Sequence, residues 1–523
     1  MPQLDAAQLD DFFSALPPEA LLGSRYGIER ETLRVDLSGS LATTPHPKAL
    51  GSALTHPSIT TDYSEALLEF VTKTAATPDV VIGLLSDLHQ FTSNVLGDER
   101  LWPLSMPGAL PPAVDIPLAN YGTSNVGQMK TVYRRGLGHR YGRPMQTIAG
   151  VHFNFSLTST FTRQLAALRG DGRPADIAQS AAYFVLLRNV RRYAWLILYL
   201  FGASPAVCRS FLEGRERGLQ LFDDTTLYLP NATSLRMSDI GYSNSAQSRL
   251  NISCNSLEEY VGGLTRAIQT AYPAYADIGT IKNGVWQQLS TSILQIANEF
   301  YSVVRPKRVA RSGEKPTSAL RERGVEYVEI RALDVNPFEP VGISADQIRF
   351  LECFLLMCAV GNCDVIGPVE QVEIDANQLT VAREGRSPRL PMTRHGEATT
   401  LYLWSQDLFD RLEPIAASCD DAAGGSVYVN TIAAYRKSVA DPSLTPSARV
   451  LELMRERRLG HARFGVDLAQ QHADVFAGLP PFEPARAAEM EGLAAQSLAQ
   501  QAEVEADDDI DFKTYLERYY AQP

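Results

Sequence analysis

Acidic residues spaced two apart in an alternating stretch are the first sign of chemistry in this chain. In Tyr26-Gly-Ile-Glu-Arg-Glu-Thr-Leu-Arg34, Glu29 and Glu31 face the same way on a strand. Like charges side by side destabilise a sheet, so something positive must sit between or above them. Arg30 and Arg34 on a solvent-exposed face would serve, and so would a metal ion; the segment alone leaves both readings open. A second segment, Thr60 to Phe70, carries Asp62 and Glu69, and Glu69 lies inside the apolar run Ala66-Leu-Leu-Glu-Phe-Val71. A carboxylate in such a run needs an arginine or a metal as partner.

Two further segments repeat the pattern. Gly150-Val-His-Phe-Asn-Phe-Ser156 reads as a strand with Val151, Phe153 and Phe155 on an apolar back and His152, Asn154 and Ser156 on a polar front. Val325-Glu-Tyr-Val-Glu-Ile-Arg-Ala-Leu333 turns Val328 and Ile330 backward and Tyr327, Glu329 and Arg331 forward. Just upstream, Arg305-Pro-Lys-Arg-Val-Ala-Arg311 holds four cations in seven residues, interrupted by a proline. That composition suits a loop that meets phosphate, with Lys307, Arg308 and Arg311 as nucleotide contacts; a solvated basic loop is the plain alternative. Taken together the four segments are specific. Hard carboxylate oxygens suit magnesium, which bridges to substrate phosphates. Several acids can face a triphosphate only with divalent ions between, and phosphoryl transfer also needs a cation aimed at the transferring group.

Those strands must be held by the rest of the chain. The pattern predicts a helix over 1–24 broken at Pro17-Pro18, then alternation from 25 to 75 and a helix over 76–100. A Pro- and Gly-rich loop spans 101–125, and a long apolar helix spans 176–203. Residues 204–256 read as irregular, helices return at 256–272 and 284–304, and a basic loop covers 305–316 before a strand at 324–333. Residues 340–361, and most of the chain from 400 onward, read as helical. The most apolar piece, Ala194 to Ala203, is too short to span a bilayer. A net charge of −12 in 523 residues argues against non-specific nucleic-acid binding. The first basic residue is Arg25, which does not fit a secretion signal, so a cytoplasmic protein without a membrane segment is expected. The six cysteines form no C-x-x-C pair and read as small buried hydrophobes. Neither a Walker-type loop nor G-x-G-x-x-G is present, so any nucleotide is held by other means. The acids at 503–511 read as a solvated tail.

The sequence closely resembles the proteobacterial-type glutamate–cysteine ligase, or γ-glutamylcysteine synthetase, family. The matching stretches are GIERETLRV, LATTPHPKALGSALTH, SEALLEFVT, GDERLWPLSMP, YGTSN, YGRPMQTIAGVHFNFSL, YLFGASPAVC, ATSLRMSDIGY, RPKRVARSGE and IRALDVNPF, between about 22 and 340. The resemblance implies an α+β fold like the catalytic part of glutamine synthetase: a curved, mostly antiparallel sheet forming a funnel, flanked by helices. It implies a single catalytic unit over 1–523, with the motifs in 22–340 and a helical part from 341. It implies ATP-dependent joining of the L-glutamate γ-carboxylate to L-cysteine, with Mg2+, or Mn2+ in its place, and inhibition by glutathione. A monomer is the expected assembly. Carried over by motif position, Glu29, Glu31, Asp62, Glu69, His152 and Glu329 are the metal set. Glu329 and Arg331 are the catalytic pair, with Arg331 stabilising the transferring phosphoryl group. Gln146, Asn154 and Arg236 line the amino-acid site, and Tyr133, Tyr242 and Tyr301 surround cysteine. A related ligase with another acceptor amine, or a sensor that kept the fold, stays open at this point.

Overall fold

The polar-fronted segments assemble into one sheet. The computed structural model describes residues 4–214, 218–241, 250, 252–311 and 313–522. Strands Arg25–Val35 (β1), Ile59–Thr61 (β2), Leu67–Val71 (β3), Arg100–Leu101 (β4), Val151–Ser156 (β5), Val304–Lys307 (β6) and Tyr327–Leu333 (β7) form a seven-stranded sheet. Their order is β6-β7-β5-β1-β3-β2, with β4 on β1, and every pairing is antiparallel. The expected back face is real. Ile28, Leu68, Phe70, Phe153, Phe155, Val328 and Ile330 are all fully buried. Burying each such side chain stabilises by about 1.5–3 kcal/mol, so a slip of one residue in any strand would forfeit a whole row.

Helices cover that back. The helices that bear on the site are Pro78–Val95 (α1), Asn125–Tyr141 (α2), Ala175–Phe201 (α3), Ala345–Ala359 (α4), Leu401–Ala423 (α5), Val427–Ala440 (α6), His461–Ala477 (α7), Pro484–Ala506 (α8) and Phe512–Ala521 (α9). Helix α1 packs on β1 and β3, and α3 on β6, β7 and α4. Local signals set their starts. Thr77 accepts from the Val80 amide ahead of Pro78, and Ser344 and Gln347 make a reciprocal capping box on α4. Helix α3 is apolar nearly all round because it is buried nearly all round. Among the described residues no helix is long and apolar enough to cross a membrane.

Three sequence expectations fail here. Residues 284–304 are not a helix. They form a short strand at Val285–Trp286, an irregular loop, one turn of 3-10 helix at Ala297–Glu299 and the start of β6. Buried side chains there take over the backbone's hydrogen bonds: the Leu289 amide donates to Gln295 and the Gln295 amide to Glu299. The basic segment begins as edge strand β6, where Pro306 is tolerated because nothing pairs with its outer side. Within 204–256, Ala206–Cys208, Gln220–Asp223 and Thr226–Tyr228 make a small separate sheet.

Behind the sheet, Glu352 of α4 is buried and accepts a hydrogen bond from the Tyr428 hydroxyl of α6 at 2.7 Å. Burial pushes its carboxyl from 4.5 up to about 7, against the lowering hydrogen bonds of Tyr26 and Tyr428. The folded state therefore holds a proton that the unfolded chain has released. That stabilisation is complete below pH 4.5 and is lost as pH rises through about 7. A shift of this size corresponds to roughly 3 kcal/mol. Glu352→Gln is expected to flatten the fall in melting temperature between pH 5 and 8, as measured by scanning calorimetry.

Candidate functional site

The register of the sheet decides which polar groups meet. Glu31 of β1 lies opposite Glu69 of β3, and Glu29 lies opposite His152 of β5. Asn154 lies opposite Glu329 of β7, and Glu329 opposite Arg305 of β6. All project from the face away from the apolar core, so five strands deliver one polar surface. Its centre is tight. His152 Nδ1 is 3.3 Å from Glu29 Oε2 and 3.9 Å from Glu329 Oε1, and its Nε2 is 3.6 Å from Glu31 Oε1. Lys307 donates to Glu329 at 3.1 Å, and Arg331 Nη1 stands 3.3 Å from the other Glu329 oxygen.

This crowding shows in the proton affinities. Burial, then the charges of Glu29, Asp62 and Glu31, push the Glu69 carboxyl well above its usual range. Burial also raises Glu31, against the opposing pull of His152. Glu329 behaves oppositely: burial would raise it, but Lys307, Arg331, His152 and Arg305 hold it well below. Glu29 is likewise lowered, because the His152 hydrogen bond and Lys307 outweigh burial and Glu329. The face thus has a cation-balanced edge at β6 and β7 and a carboxylate-rich region at β1 and β3. Glu29, His152 and Glu329 each offer a ligand atom within 4.8 Å of the others. The Asn154 side-chain oxygen beside them is buried without a hydrogen-bond partner. An oxygen-rich set with excess negative charge fits a hard divalent cation.

The other predicted residues surround this face. Arg236 is buried, donates to the Arg331 carbonyl at 3.0 Å, and lies against Gly150, where a Cβ would come within 2.1 Å of its Nη2. The Gly150 amide in turn donates to Glu31 at 2.7 Å, so the missing side chain lets Arg236 and Glu31 share one spot. Gln146 donates to the Tyr301 hydroxyl at 3.3 Å. Burial, then Glu299 and Tyr301, keep the Tyr133 phenol well above its usual range. Tyr242 lies outside the described residues. Lys307 and Arg308, but not Arg311, line a cavity of about 320 Å3 with Tyr260, Asn298, Arg305 and Tyr327. Within it, Arg308 is committed to the carbonyls of Gly324 and Arg323. Arg311 is exposed beyond the cavity.

Sequence reading missed Lys130 and Arg134, which lie one turn apart on α2. Arg134 Nη2 is 3.8 Å from Asp62, and both cations sit over the Tyr121 ring. Burial and then Arg134 press the Lys130 ammonium down to about 8, partly offset by Glu69. Their spacing of four residues was a visible signal for one helix face. Arg305, whose alternation with Lys307 was also visible, donates to the Asn298 and Phe300 carbonyls beneath the face.

The fold is that of the ligases that build glutathione. It superposes with a TM-score of 0.70 on a bifunctional glutathione synthetase from Pasteurella multocida, 27% identical, covering 90% of this chain and 54% of the other. With a glutamate–cysteine ligase from Francisella tularensis, solved in complex with AMP, the TM-score is 0.90 at 38% identity, over 95% and 97% of the two chains. A family model described as glutamate-cysteine ligase matches residues 10–381. A glutamate–cysteine ligase from Pseudomonas paraeruginosa is 50% identical over 496 residues, 95% of this chain and 94% of its own. The chain belongs to the glutamate–cysteine ligase family.

The acidic tail is largely solvent-exposed, as expected, but Glu505 and Asp508 also bond to amides at the start of α2. Glu505 accepts from the Thr123 amide at 2.9 Å, Asp508 accepts from the Asn125 amide, and Asn125 donates back to the Ile510 carbonyl. Helix α9 follows, with Phe512 edge-on to Trp286 and the Tyr520 hydroxyl donating to the Gln295 carbonyl. The free amides at a helix start attract carboxylates, which explains why Glu505 and Asp508 bond there, while Glu503, Asp507, Asp509 and Asp511 stay exposed. Asp508→Ala is expected to destabilise the protein by about 1 kcal/mol in thermal melts, with Asp508→Asn recovering part of it.

Proposed function

We propose that the protein joins the γ-carboxylate of L-glutamate to the amino group of L-cysteine at the expense of ATP, the first step of glutathione synthesis. The observation that carries this reading is the register that sets Glu31 against Glu69 and Glu29 against His152 on one face, edged by Lys307 and Arg331. Family membership supports it independently. In this reading Glu29, Glu31, Asp62, Glu69, His152 and Glu329 hold magnesium, or manganese in its place. A hard divalent ion held there would supply charge to balance the triphosphate and Lewis-acid polarisation of the phosphoryl group to be moved.

The chain's own groups do the rest. Lys307, lining the cavity of about 320 Å3 with Arg305 beneath it, would receive the nucleotide, and the AMP found with the Francisella relative agrees with a nucleotide site. Arg236, Gln146 and Asn154 orient glutamate so that its γ-carboxylate meets the phosphoryl donor. Arg331 follows the charge that builds on the transferring group. A carboxylate resists attack by an amine because of its own negative charge. Transfer of the terminal phosphoryl group makes γ-glutamyl phosphate and ADP. The cysteine amine, held near Tyr133, Tyr301 and Arg134, then displaces phosphate. Glutathione carries the same γ-glutamyl group and would compete at the glutamate position. The whole chain acts as one catalytic unit, working in the cytoplasm.

Two outcomes are expected. Glutamate labelled with heavy oxygen at the γ-carboxylate should pass one labelled oxygen to the released phosphate, read by mass spectrometry; unlabelled phosphate would exclude the acyl phosphate. Arg331→Lys should lower kcat by about 100- to 1,000-fold while changing KM for glutamate far less. A loss under about tenfold would reduce Arg331 to a salt-bridge partner of Glu329.

A further inference from the structure

The strand that carries Glu29 and Glu31 also carries a charge on its opposite side. Arg30 points into the back of the sheet and is 1% exposed. Its Nε and Nη1 make no hydrogen bond, and its Nη2 reaches only the Trp102 carbonyl, at 3.4 Å. Arg34, four residues on and equally buried, is different. Its guanidinium meets Glu99 at 2.5 Å, Thr44 at 2.6 Å and the Glu65 carbonyl at 3.0 Å. One arginine therefore has a carboxylate in contact, whereas Arg30, among the described residues, makes no ion pair, and burial draws its guanidinium down to about 9 against only the more distant pull of Glu31. An isolated buried charge costs several kcal/mol, enough to threaten a fold of ordinary stability.

Arg30 lines a small cavity of about 30 Å3 between the sheet and α7, together with Arg100, Glu99, His472 and Phe476. One water needs about 10–15 Å3 of such space, so this cavity takes one or two waters or a single monatomic ion. It is too small for a phosphate or a carboxylate. The groups around it favour an anion. Glu99 is neutralised by Arg34, and Arg100 is occupied by Gln470 and the carbonyls of Gly97 and Glu99. Burial, then Arg30, holds the His472 imidazole down to about 4, so at neutral pH it offers a neutral ring. His89, fully buried nearby, is depressed for the same reasons, burial first.

We propose that the cavity beside Arg30 binds a monatomic anion, chloride in ordinary salt solution, as the counter-ion of that buried guanidinium. A water there would solvate the guanidinium without neutralising it. The anion stands directly behind the strand whose front gathers the carboxylates, and completes a charge balance that the polypeptide leaves open.

The test uses the whole chain and sodium bromide as the probe. Crystals grown in bromide should show an anomalous peak in contact with the Arg30 guanidinium. The melting temperature at equal ionic strength should be higher in sodium chloride than in sodium gluconate, whose anion is too large to enter. Arg30→Met keeps the aliphatic stem, removes the charge and should abolish that difference. A cavity holding only water in the bromide crystals would overturn the proposal. So would an equal gain from chloride in the wild type and Arg30→Met. Should the variant fail to fold, the bromide map decides alone.

Discussion

Carboxylates that repel one another are held together on one side of a sheet, and most of the architecture follows from that constraint. Left alone, Glu29, Glu31 and Glu69 would drive β1 and β3 apart. They stay because the reverse of the same strands is sealed by Ile28, Leu68, Phe70, Phe153 and Phe155, and alternation ties the two faces rigidly together. The apolar side supplies the free energy, and the polar side spends part of it as electrostatic strain. The strain is graded across the sheet. At β6 and β7, Lys307, Arg331 and Arg305 keep Glu329 ionised against burial, whereas at β3 burial and the charges of Glu29, Asp62 and Glu31 outweigh the pull of Arg134, so Glu69 holds its proton more firmly. A divalent ion would relieve the second region most.

Neutralisation comes from different depths. Arg236 reaches the face from outside the sheet, by way of a gap that exists only because residue 150 lacks a Cβ. Lys130 and Arg134 approach from α2, on the side of Asp62. The cations therefore belong to elements far apart in sequence, and the face is complete only when the helices dock correctly. Side chains that would be ordinary surface charges on isolated segments act here as partners across the fold.

Much of this was legible in the sequence. The two-residue period of 25–35, 150–156 and 327–333 told which side chains share a face, because the pleat allows no other arrangement. What alternation could not tell was which strand neighbours which, or the register between them. The pairing of Glu31 with Glu69 depends on β3 folding back onto β1. The position of Arg331 depends on a register shift in the β7–β5 pairing after Ile330. The stretch 284–304 misled because its apolar residues suit a helix, while Gln288, Gln295 and Glu299 instead satisfy backbone groups in a buried loop. The tail's exposure was read correctly, but not its docking. A run of acids gives no sign that two of its members meet the unfilled amides of a helix start, because that helix lies far away in sequence.

The docking of the tail has a consequence for how the protein is made. A nascent chain has every strand of the sheet by Leu333, and can bury the apolar back as soon as α3 and α4 are out. Helix α2 at that stage still lacks Glu505, Asp508 and α9, which are translated long afterwards. The ribosome therefore releases the carboxylate face before the residues that brace α2, the helix of Lys130, Tyr133 and Arg134. A chain that has reached Leu333 can carry the acid surface, but α2 is fastened only by residues translated after the sheet is complete.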